Sequence, residues 1–258
     1  MKKQAHVWYQ VEKGENPRFS QMHIPIQINS LEDIILLDDQ PGFMLLKAII
    51  NHPESSEAAC AIANKYIPSI LNKIAYFYDL RIGKSQLCSV DIVSVRSDGQ
   101  EKILNTRNPT VEDHESIRIV NVLTVSPDKL TALLKMPFHR LGDTYYKQYR
   151  IAIQSKDVIA EYMFLYSILL QIFGDKQKKV DKFIQSAQPD VKTFKKLIRI
   201  REEIETIYTK LRNEIAHVRR GKTFEQTIEE VNQHLLSLRE LTKKAIEGKI
   251  GKCLKNQG

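Results

Sequence analysis

Cysteine is scarce in this chain: Cys60, Cys88 and Cys253 are odd in number and widely spaced over 258 residues. That excludes a disulfide framework and a zinc knuckle, and it fits a reducing, cytoplasmic setting. Long apolar runs are missing too. The longest, YMFLYSILL from Tyr162 to Leu170, is about half of a bilayer span. Glu161 and Gln171 flank it, so it reads as a core helix and no membrane association is expected. The N-terminal MKKQAHVWYQ has lysines but no apolar stretch or small-residue cleavage site behind them, so no signal peptide is expected. No Gly-x-Ser-x-Gly elbow occurs. Ile82-Gly83-Lys84-Ser85 resembles the end of a phosphate loop, but Tyr78 stands where its first glycine belongs. His6, His23, His52, His114 and His139 show no paired ligand spacing, so neither a metal nor another cofactor is expected.

What the chain does have is positive charge, unevenly placed. From Lys147 to Gly258 there are 23 Lys and Arg against 14 Asp and Glu, a balance of +9; the first 146 residues hold 16 against 17, a balance of −1. A basic part joined to a neutral one is the electrostatic footprint of a polyanion partner, although solvated lysine-rich helix faces give the same count.

The hydrophobic pattern changes at about the same place. In the first region, residues 1–140, VWYQV (7–11), IPIQI (24–28), LCSVDIVSV (87–95) and SIRIVNVLTV (116–125) are rich in β-branched and aromatic residues and read as strands. Asp98-Gly99 is a hairpin signal. Between them Glu54 to Tyr78 reads as a helix with a stripe of Ala58, Ile62, Tyr66, Ile70, Ile74 and Phe77, with Pro68 expected to kink or break it. Ser126-Pro127-Asp128 opens a short helix through Leu134. This is an α+β domain whose sequence names no role; sensing or partner binding is the expectation.

In residues 141–258 every strong pattern is helical. Asp143 is placed to cap a segment running to Phe173, where Gly174 stops it. Val180, Phe183 and Ile184 mark a short helix ended by Pro189. Phe194, Leu197, Ile200, Ile204, Ile207, Leu211 and Ile215 form one further stripe, and Phe224, Ile228, Val231, Leu235, Leu238 and Leu241 another. The expectation is a compact all-α bundle.

Within the first of those two stripes, Arg212-Asn213-Glu214-Ile215-Ala216-His217 resembles the Arg-x4-6-His signature of the HEPN superfamily, a helical-bundle group rich in metal-independent ribonucleases. Arg18 to His23 and Arg107 to His114 satisfy the same spacing, but each arginine lies beside or just before a proline in a polar linker, whereas Arg212 sits among Leu211, Ile215 and Ala216. The resemblance covers residues from Asp143 to the end. It implies an endoribonuclease that cleaves RNA by attack of the substrate's own 2′-hydroxyl, in a toxin-antitoxin or phage-defence setting. The alternative it leaves open is a non-catalytic HEPN-fold binding module that acts with a nucleotidyltransferase or another partner.

The residue types suit that chemistry. A histidine titrates near neutrality and can move protons; an arginine presents a planar fork of donors to a phosphorane. His217 is therefore the candidate acid/base and Arg212 the candidate phosphate clamp. By resemblance Asn213 positions the site, and Glu161, on an earlier helix, orients Arg212 or His217. Arg219, Arg220 and Lys222 are candidates for tracking the RNA backbone. Glu214, by its spacing from Leu211 and Ile215, is expected to face solvent. Five residues separate Arg212 from His217 by about 140° on a straight helix, too far to grip one phosphate. Either the helix ends near His217 or a two-fold dimer apposes two copies, so a homodimer through the helical domain is expected, with an antitoxin or regulatory partner besides.

Overall fold

The computed structural model describes residues 2–14, 22–28, 30–40, 42–96, 100–107, 140–198, 201–216 and 223–255. The chain divides into two compact units, Met1–His139 and Arg140–Gly258. It is mixed α+β, strand-rich in the first unit and mainly helical in the second.

The first unit is built on an antiparallel sheet of β1 (Lys2–Lys13), β2 (Met22–Ile28), β3 (Leu31–Gln40), β4 (Phe43–Asn51), β5 (Ile82–Val95) and β6 (Glu101–Arg107), in the order β2-β3-β4-β1-β5-β6. Strict alternation in β1 puts Ala5, Val7, Tyr9 and Val11 on one buried face. Helix α1 (Ser56–Tyr78) packs against the sheet, and the Tyr9 hydroxyl donates to Asn64 Oδ1 at 2.7 Å. The Ser55 hydroxyl oxygen caps that helix, accepting from the Ala58 N–H at 3.1 Å, and Asp79 ends it in a left-handed conformation.

Helix α1 runs unbroken through Pro68, which is exposed: the proline removes one backbone bond, but buried Ile67, Ile70, Leu71 and Ile74 hold both sides of it on the sheet. In its first half the buried stripe is Ala59, Ala63 and Ile67, one position on from Ala58, Ile62 and Tyr66. Strands β3 and β4, joined at Gly42 with its φ of +79°, had no clear signal. The Gly83 segment lies in β5, whereas residues 116–125 and 126–134, expected as strand and helix, lie outside the described residues.

On the other face of β1, His6 is 3% exposed, with Nε2 3.7 Å from Glu101 Oε1. Burial, and then the charge of Lys47, lower its pKa below 6.5 against the opposing pull of Glu101 and Asp91. As pH falls through 6.5 the unfolded chain gains a proton that the folded chain refuses, so stability is lost from there down to the folded pKa. We expect His6→Gln to flatten the dependence of the unfolding midpoint on pH between about 7 and 5, measured by thermal melts.

The second unit contains α2 (Arg140–Gln154), α3 (Val158–Ile172), α4 (Gln177–Ala187), β7 (Thr193–Ile198), β8 (Arg201–Thr206), α5 (Ile207–Ala216) and α6 (Phe224–Lys255). Helix α3 lies against α2, α4, α5 and α6, so the apolar run expected to be a core helix is one, with Tyr162, Leu165, Tyr166, Ile168 and Leu169 buried. The single helix expected from Asp143 to Phe173 is two. Asp157 Oδ1 accepts from the Ile159 and Ala160 N–H groups at 2.7 and 3.1 Å, a cap that starts α3 afresh, while Asp143 lies inside the first turn of α2. Gly174, at φ +70°, follows the end of α3, and α4 ends before Pro189, both as the sequence indicated.

The all-α expectation is also corrected. Thr193–Ile198 and Arg201–Thr206 are strands that pair antiparallel, and among the described residues of the expected long helix only Ile207–Ala216 is helical. The register sets Phe194 opposite Glu205 and Lys195 opposite Ile204, and a β-branched residue such as Ile204 suits a pleated surface as well as a helical stripe. Among the described residues no single helix is long and apolar enough to cross a membrane.

Candidate functional site

The start of α5 is fixed by one buried carboxylate. Asp181 of α4, 3% exposed, accepts at Oδ1 from the Thr206 N–H at 2.9 Å, the Thr206 hydroxyl at 2.8 Å and the Thr209 hydroxyl at 2.6 Å. Thr209 has thereby given away its only hydroxyl proton, so in its 2.6 Å contact with Tyr166 the phenol is the donor. Burial holds that phenol well above its ordinary pKa, with Asp181 and Glu205 adding and Thr209 and Arg212 opposing, so it keeps its proton at neutral pH. Tyr162 joins from the same face of α3, donating to the Tyr208 carbonyl at 2.9 Å.

This polar staple ties α3, α4 and α5 together where an all-apolar core would leave the first turn of α5 without its cap. We expect Asp181→Ala to destabilise the chain by about 2–4 kcal/mol, because it strips three donors of one acceptor. Asp181→Asn, which keeps a carbonyl oxygen, should recover part of that in urea unfolding.

Further along α5 come the motif residues. Arg212 is half-buried and Asn213 is 6% exposed. The guanidinium donates from Nη1 to Asn213 Oδ1 at 3.0 Å, and Asn213 Nδ2 donates to Glu205 Oε2 at 3.2 Å. Glu205, in β8, is itself 4% exposed. The side chain of Glu214 is 7% exposed and lies 3.5 Å from Lys210, so it does not face solvent as its spacing indicated. The last described residue of α5 is Ala216; His217, Arg219, Arg220 and Lys222 lie outside the described residues.

Glu161 is fully buried, at 0% exposure, and its Oε1 accepts from both Nε and a terminal nitrogen of Arg239 at 2.5 Å. The pair joins α3 to α6. Sequence reasoning had Glu161 near the motif but missed Arg239, whose only signal is its position beside Leu238 on the border of the apolar stripe of α6. It also missed Glu205 and Asp181; the Thr206-x-x-Thr209 spacing was the available sign of a helix start.

Tyr145 and Tyr149 are core residues, 4% and 0% exposed, so neither ring offers an open face for stacking on a base. Among the described residues no group of three or more His, Cys, Asp or Glu could hold a metal ion. An open cleft of about 570 Å³ is lined by Lys3, Ser55, Glu57, Ile92, Leu104 and Thr106, all in the first unit.

Residues 145–246 match the family model of the methylamine utilization protein MauJ. The match runs from α2 into α6 and contains Glu161, Arg212, Asn213, His217 and Arg239. It does not extend into the first unit. No curated protein and no solved structure matches the chain.

Proposed function

We propose that the second unit is a HEPN-type, metal-independent endoribonuclease. The observation that carries this reading is the half-buried Arg212, hydrogen-bonded to a buried Asn213, with His217 five residues on. The tether orients the planar fork, the geometry in which a guanidinium grips a phosphate. The MauJ-type match, from proteins related to the HEPN group, supports the placement of that fold in this part of the chain.

In the proposed reaction the RNA 2′-oxygen attacks phosphorus and the 5′-oxygen leaves, giving a 2′,3′-cyclic phosphate and a 5′-hydroxyl. His217 takes the 2′-hydroxyl proton or supplies one to the leaving oxygen, and Arg212 stabilises the charge on the phosphorane. Arg219, Arg220 and Lys222 follow the strand, and the +9 balance from Lys147 onward favours its approach. A homodimer through the helical unit would bring two copies of the motif into one cleft. The first unit would then serve as a sensing or partner-binding module, in a toxin or antiviral setting.

The Glu161–Arg239 pair favours a second reading. It gives the buried acid of α3 a structural partner in α6, as expected of a binding module that holds RNA or a partner without cutting. Incubating the full chain with total RNA in EDTA separates the two: fragmentation lost in both Arg212→Ala and His217→Ala supports the enzyme, whereas retention of RNA on the protein without fragmentation supports the module.

A further inference from the structure

We infer that Glu205 is a positioning residue for the proposed phosphate clamp: its carboxylate sets the Asn213 amide, and that amide sets the Arg212 guanidinium. The inference rests on the ribonuclease reading of the same site.

Adjacent residues on a helix point about 100° apart, so Arg212 and Asn213 do not face each other by default. Their side chains nevertheless meet, at 3.0 Å, with the amide presenting its oxygen to the guanidinium. An asparagine amide has two unlike ends, and the guanidinium can use only the oxygen. Glu205 decides which end that is. Its Oε2 lies 3.2 Å from Asn213 Nδ2, and a flipped amide would set its oxygen against the carboxylate instead.

Glu205 is itself held. It is 4% exposed, and the next residue, Thr206, is pinned through its N–H and hydroxyl to Asp181. Cross-strand pairing to Phe194 fixes its backbone from the other side. The chain from strand to amide to guanidinium therefore has a rigid origin, which is what a group acting on developing charge requires. Strand β8, in place of the expected helix, is the element that brings Glu205 beside Asn213.

The test is steady-state cleavage of RNA in EDTA by the full chain. Glu205→Met keeps the volume and removes the acceptor; we expect kcat to fall about tenfold with KM changed less than about twofold. Glu205→Gln, whose amide oxygen still accepts from Asn213, should stay within about threefold of the wild type. The double variant Glu205→Met with Asn213→Ala should be no worse than Asn213→Ala alone, because both act on one path. If Glu205→Met does not fold, Glu205→Asp replaces it: the shorter side chain withdraws the carboxylate, and the same fall is expected.

Losses that multiply in the double variant, or a glutamine variant as poor as the methionine one, overturn the inference while Arg212 dependence stands. Cleavage that survives Arg212→Ala, or a wild-type chain that cuts no RNA, overturns the ribonuclease reading and this inference with it.

Discussion

Arg239→Ala is expected to destabilise the chain by about 3–5 kcal/mol, the largest stability effect outside the apolar core. The reason is asymmetric. Glu161 has 0% exposure, and removing the arginine leaves a carboxylate in the interior without the cation that takes two contacts on one oxygen. Removing both partners is a different experiment. Glu161→Met with Arg239→Met replaces two desolvated charges by apolar groups of similar size, and should lie within about 1–2 kcal/mol of the wild type. Chemical denaturation of the full chain measures both. An Arg239→Ala variant within about 1 kcal/mol of the wild type would show that the pair does not hold α3 to α6. Arg239 is also a control for function: a loss of RNA cleavage that follows stability, and recovers in the double methionine variant, marks the pair as structural.

The second large effect is chemical. Arg212→Lys keeps the charge but loses the planar fork, and with it either the bond to Asn213 or the grip on phosphate. We expect kcat for RNA cleavage to fall by about 10²-fold or more, with a smaller change in KM and an unfolding midpoint close to the wild type. A lysine variant within about threefold of the wild type would mean that bulk charge suffices and that the tether to Asn213 is incidental.

Much of the first unit was legible because β-branched residues alternate there. Val7, Tyr9 and Val11 put their side chains on one face, and the 87–95 segment does the same beside them. Strands β3 and β4 were not. Leu31–Gln40 carries Glu32 and Asp33, and Phe43–Asn51 is built on Met, Leu, Lys and Ala, good helix formers. Pairing to β3 on one side and to β1 on the other decides the matter for β4, and Glu32 accepts from both Lys2 and Gln4, so its charge does not oppose the sheet.

In the second unit the stripes marked which residues are buried better than which element carries them. Ile204, Ile207 and Leu211 recur at helical spacing, yet α5 begins only at Ile207, because Thr206 is held by Asp181 from another helix. A contact 25 residues away in sequence leaves no mark on local periodicity. The break before α3 did leave one: Ser155-Lys156-Asp157 ahead of an apolar run is a capping sequence. As for the site, Arg212, Asn213 and Glu161 were named from the motif and its setting, whereas Glu205 and Arg239 become visible only once the chain is folded. Both are charged residues whose burial no composition rule anticipates.

The most direct measurement is the yield of new 5′-hydroxyl ends on RNA treated with the full chain in EDTA. Ribonuclease action by 2′-hydroxyl attack predicts ends that accumulate with time, resist EDTA, and vanish in Arg212→Ala and in His217→Ala while both variants remain folded. Ends that never form, or that form equally in both variants, would contradict it.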